Sequence, residues 1–87
     1  MYPIVITIIA VNKITNDVVC DSEQIATEKI ATEYISKRIK GYIKEQGCSS
    51  NMNGSCASAN IYIFPNTIVT VIVTELHVNK IEIKQYT

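Results

Sequence analysis

The chain has 87 residues, 47% of them hydrophobic, with eight basic and eight acidic side chains and a formal net charge of zero. That length is read as one domain, residues 1–87, near the lower limit of what a single hydrophobic core stabilises. Zero net charge removes any bulk drive towards DNA, RNA or an anionic membrane, and three cysteines, an odd number, argue against a secreted disulfide framework.

The apolar residues are unevenly chosen: sixteen Ile against one Leu, and no Trp. β-Branched side chains are stiff at χ1 and suit pleated surfaces, so the composition leans towards strand. Ile, Lys, Asn and Tyr also have AT-rich codons, which points to an AT-rich genome. Met1-Tyr2-Pro3 places no basic residue ahead of the apolar run from Ile4 to Val11. The run is too short to cross a bilayer and lacks a signal peptide's basic flank. The expected location is therefore cytoplasmic (the host cell interior if the source is viral).

Ile4 to Val11 reads as the first strand. Both its even set (Ile4, Ile6, Ile8, Ala10) and its odd set (Val5, Thr7, Ile9, Val11) are mostly apolar. Such a strand belongs inside a sheet or has its second face covered by a partner. Asn12 to Asp17 is a polar connection with a turn signal at Thr15-Asn16-Asp17.

The next element is a helix. Asp21 with Gln24 three residues on resembles a capping box, and Cys20 with Ile25 a hydrophobic staple, so the spacing predicts a helix from Asp21 to about Gln46. Gly47 is its left-handed stop. Glu23, Glu28 and Glu33 precede Lys37, Arg38, Lys40 and Lys44, an order that complements the helix dipole. One arc, with Ile25, Ala31, Ile35, Ile39, Tyr42 and Ile43, is expected to face the sheet. A second arc carries Lys29, Glu33, Ser36, Lys37, Lys40 and Lys44. A third flank, with Ile30, Tyr34, Arg38 and Gly41, is more apolar than a solvent face requires and is the expected interface.

Residues 47–59 form a polar loop of small side chains. Loops of this length in compact domains are usually functional or disordered. Short strands are then predicted for Asn60 to Phe64, for Thr67 to Glu75 after a turn at Pro65-Asn66, and for Lys80 to Lys84. In the last, Ile81 and Ile83 are expected inward and Lys80, Glu82 and Lys84 outward, as on a protected edge strand. The fold class is α+β in the order β-α-β-β-β, with one long amphipathic helix on a mixed or antiparallel sheet. Dodecins share a β-α-β-β order, but their motif residues are absent, so nothing is carried over from them.

Little in the sequence carries chemistry. Cys48 and Cys56 bracket the polar loop and are candidates for a disulfide. Their separation and the single histidine, His77, do not suit a zinc site, so no metal and no cofactor is expected. A Cys–His enzyme using these groups is the least favoured reading. Ser49, Ser50, Asn51, Asn53 and Ser55 offer hydrogen-bonding groups for a small ligand or nucleotide. Lys29, Lys37, Lys40 and Lys44 form a stripe that would suit nucleic acid, though Glu33 sits among them as in ordinary surface pairing. The favoured reading is a non-enzymatic homo-oligomeric binding protein, a dimer or higher, with a protein or nucleotide target. Short, motif-free α+β chains of AT-rich composition are common among phage and archaeal-virus accessory proteins, and a host-defence inhibitor fits that class.

Overall fold

A computed structural model describes residues 4–48, 57–74 and 80–86. The elements are β1 (Ile4–Asn12), β2 (Val18–Ile25), α1 (Glu28–Gln46), β3 (Ala59–Ile63), β4 (Thr67–Thr74) and β5 (Ile81–Gln85). They form one five-stranded sheet in the order β2-β1-β4-β3-β5 with α1 packed on one side. All neighbouring pairs are antiparallel except β3 and β5, which run parallel. The architecture is α+β with a mixed sheet, and the order is β-β-α-β-β-β.

The additional strand is the main departure from the sequence reading. Residues 21–25 are not the first turns of the helix; with residues 18–20 they return along β1 as a hairpin edge, with Ile4 opposite Ile25 and Val11 opposite Val18. The reversal is held by Asn12, whose Oδ1 accepts the backbone N–H groups of Ile14 and Thr15 at 2.9 and 3.0 Å. Asn16 sits at φ 64°, a left-handed position that asparagine tolerates. Asp21 is therefore a mid-strand residue rather than an N-cap, and Cys20 is exposed on β2 rather than stapling a helix.

The true cap is Thr27, extended at φ −136° and ψ 157°, whose hydroxyl accepts the Ile30 N–H at 3.2 Å. At the far end Gly47 takes φ 66°, and the Cys48 N–H reaches the Ile43 carbonyl at 3.0 Å, a Schellman closure. Gln46 ties this end to the β3–β4 turn. Its Nε2 donates to Thr67 Oγ1 at 2.9 Å, and its Oε1 accepts the Asn66 N–H at 2.8 Å.

Ala31, Ile35, Ile39 and Ile43, four residues apart, form the buried stripe of α1. They join Ile4, Ile6 and Ile8 of β1 and Val69, Val71 and Val73 of β4 in one core. Ile25, expected in the helix, reaches the same core from the end of β2. The β3–β5 side of this layer is filled by aromatic rings. Tyr42 of α1 stacks on Phe64 at 5.7 Å, Phe64 on Tyr86 at 5.0 Å, and Tyr86 on Tyr62 at 6.4 Å between centroids.

Strand β5 is at the edge, but its faces are the reverse of the expectation. Glu82 and Lys84 stand opposite the buried Asn60 and Tyr62, on the helix side. Ile81 and Ile83 point the other way and are 70% and 65% exposed.

Candidate functional site

The register of the strands defines what lies on the side of the sheet away from α1. In β1 these are Val5, Thr7, Ile9 and Val11; in β4, directly opposite, Thr74, Ile72, Thr70 and Ile68. In β3 they are Ala59, Ile61 and Ile63, and beside them in β5 Ile81, Ile83 and Gln85. The other edge, β2, contributes Val18, Cys20, Ser22 and Gln24. Among the described residues of this open face there is no carboxylate, amine, guanidinium or imidazole. Three of its hydroxyls are turned to local partners: Thr7 and Ser22 share a 2.9 Å hydrogen bond, and Thr74 Oγ1 donates to the Val5 carbonyl at 3.1 Å.

An antiparallel sheet with one face in water normally alternates apolar-in with polar-out. Here the outward set is as apolar as the inward one. The large side chains at its margins, Val18, Ile81 and Ile83, are exposed, while Ile9, Ile61 and Ile68 in the middle are half-buried. Nothing in the described chain covers them.

A second feature lies on α1. The Arg38 guanidinium donates to Asp21 Oδ2 at 2.8 Å and to Tyr34 Oη at 3.3 Å, and it lies 5.9 Å from the Tyr34 ring centroid. The hydrogen bond to Asp21 raises the Arg38 pKa above its ordinary value. β2 thus fixes Arg38 through the residue that resembles a helix cap in the sequence. Beside it is a shallow hollow of about 480 Å³ bounded by Tyr34, Lys37, Arg38, Gly41, Tyr42 and Glu45. Ile30, the remaining member of the expected interface, is 47% exposed.

The other candidate residues are not gathered into a site. Lys29, Lys37, Lys40 and Lys44 are all exposed along α1, and Glu28 and Glu33 border Lys29. Cys48 is a half-buried free thiol, its Sγ 3.8 Å from the Gln46 carbonyl oxygen. Ser49, Ser50, Asn51, Asn53, Ser55, Cys56 and His77 lie outside the described residues, and with them the ligand loop, the second half of the disulfide pair and the histidine. Among the described residues no group of three or more metal-ligating side chains comes together, and no helix is long and apolar enough to cross a membrane.

The sequence reading names the helix flank as the interface and allows the second face of β1 to be covered by a partner, but it does not assemble the open face from all five strands. The signal for it was present: β1 and β4 are apolar on both parities, and only one parity of each can face α1. Comparison of the chain with protein-family models, curated proteins and solved structures finds no match.

Proposed function

We propose that this protein is a non-enzymatic binding protein that works as a homo-oligomer, closed by stacking the open sheet face of one copy on that of another. The observation that supports this reading is the uncharged, isoleucine- and valine-rich face opposite α1. Three strands roughly 26–30 Å long and two roughly 17 Å long, about 4.8 Å apart, span a footprint of about 500 Å² per copy. Two such faces together reach the roughly 1,000 Å² at which specific interfaces begin.

The absence of charge favours a second copy over other partners. A two-fold axis places a surface against itself, so a charge on this face would be buried against an apolar side chain or, close to the axis, against its own copy. Aligned sheets pack about 10 Å apart with their mean strand directions within about 30°, and the side chains of both faces interdigitate. The helix lysines are a weaker basis for function, because acidic residues border them and the chain carries no net positive charge.

Light scattering coupled to size exclusion tests the proposal. The expected result is a mass of two chains or more at about 10 μM, a concentration above the Kd of a typical specific interface of this size. A single-chain mass at every concentration reached overturns it.

A further inference from the structure

We propose that the flank of α1 centred on Gly41 is a second homotypic contact, in which the α1 helices of two copies cross antiparallel with Gly41 against Gly41 and Lys37 of each over Glu45 of the other. The argument starts from the glycine. Gly41 lies well inside the 19-residue helix, where glycine is the least favourable residue after proline. Nothing among the described residues requires it: a Cβ built there meets none of their atoms within 4 Å, and the residue has no positive φ. A bare backbone position on an exposed helix face suits the close approach of something from outside.

The surroundings of Gly41 select what approaches. The missing side chain forms the floor of the hollow, with Arg38 one turn and Tyr34 two turns before it and Tyr42 and Glu45 after it. Lys37 and Glu45 are each four residues from Gly41, so they stand about 6 Å below and above it along the axis. At about 100° per residue they fall roughly 40° to opposite sides of it. A two-fold axis lying in the contact plane above Gly41, perpendicular to the line from Lys37 to Glu45, brings these two positions of one copy over the opposite ones of the other, with the i±4 rows aligned and the helix axes crossing at about 50°. Each copy's Lys37 then lies over the other's Glu45, giving two ion pairs per contact from a single operation.

A lone helix–helix contact of this kind falls at the small end of interface sizes. It therefore acts most strongly where the sheet-face contact of the proposed function already holds copies together.

The test is charge reversal. Lys37→Glu and Glu45→Lys, made singly, place like charges over one another twice per contact. Each is expected to weaken self-association about ten-fold at low salt in sedimentation velocity. The double variant K37E/E45K restores opposite charges and is expected to return association to the wild-type level. An intramolecular explanation is excluded by distance, since the two positions are about 12 Å apart along one helix. Circular dichroism confirms that each variant is folded.

Gly41→Ala supplies an independent readout: a higher melting temperature in dilute solution together with weaker association. A double variant as weak as the singles, singles that match wild type, or an alanine variant that associates at least as well as wild type overturns the helix contact. Repeating the series in a Thr70→Lys background separates this contact from the sheet face. Loss of association in Thr70→Lys with no effect of charge reversal leaves the sheet face standing alone. Retained association that still follows the charge pattern leaves the helix contact alone.

Discussion

Thr70 sits at the middle of the open face, on the central strand, with Ile9 of β1 on one side and Ile61 of β3 on the other. Thr70→Lys is therefore the most informative single perturbation of the proposed sandwich. In an isolated copy the new ammonium reaches water by extending past its neighbours, and the cost is limited to strand preference, within about 1 kcal/mol. In a face-to-face pair the two-fold axis doubles the substitution and buries both ammonium groups between apolar sheets. The effective penalty for a buried, unpaired ion is several kcal/mol each. Even about 5 kcal/mol in total weakens association by more than 10³-fold, since each 1.4 kcal/mol is a factor of ten. The expected outcome is a folded monomer with a melting transition within about 8 °C of the wild type measured in dilute solution. The assay is sedimentation equilibrium alongside thermal circular dichroism. A Thr70→Lys protein that keeps the wild-type mass refutes the stacking argument. One that unfolds refutes the premise that this face is uncovered in a single copy.

Further outcomes follow from the core, the caps and the surface. Ile39→Ala removes a fully buried side chain from the helix stripe and is expected to cost about 2–5 kcal/mol in urea unfolding, a large share of the stability of so small a domain. Gly47→Ala meets no steric neighbour but must hold a left-handed φ of 66°, so about 1 kcal/mol of destabilisation is expected from backbone strain alone. Asp21→Asn breaks an ion pair whose side chains are 33% and 50% exposed; less than about 1 kcal/mol should be lost, and less still at high salt.

Tyr86 buries its hydroxyl without a hydrogen-bond partner, and burial raises its pKa above the ordinary tyrosine value. Its neutral form thus contributes stability that is fully present below about pH 10 and is lost as pH rises through the folded-state pKa. Tyr86→Phe should be neutral or stabilising by about 1 kcal/mol at pH 7, with a smaller loss of stability above pH 10. A clear destabilisation at pH 7 would show that the hydroxyl has a partner.

Much of the fold can be read from the sequence because its strongest signals are periodic. The helix stripe Ala31, Ile35, Ile39 and Ile43, the glycine stop and the strand alternation each depend on local spacing, and each appears in the structure. β2 was hidden because Asp21 and Gln24 imitate a capping box while Val18 and Val19 favour strand. The conflict is decided by pairing along all of β1, which no local window contains. In β5 the period is right and the side is wrong: alternation says which residues share a face, not which face is covered. Its isoleucines look inward in sequence only if a cover is assumed on their side. The open face was obscured for the same reason, being assembled from five strands whose order depends on long-range contacts.

The ring stack running from Tyr42 through Phe64 and Tyr86 to Tyr62 gives the molecule an internal optical reporter. With no Trp, five Tyr and one Phe in the chain, three of the five tyrosines and the phenylalanine sit in this one array. Near-ultraviolet dichroism therefore reads the seating of α1 against the β3–β5 end of the sheet, separately from the far-ultraviolet signal of the backbone. A state that keeps its helix but unseats it would lose the first signal and retain the second.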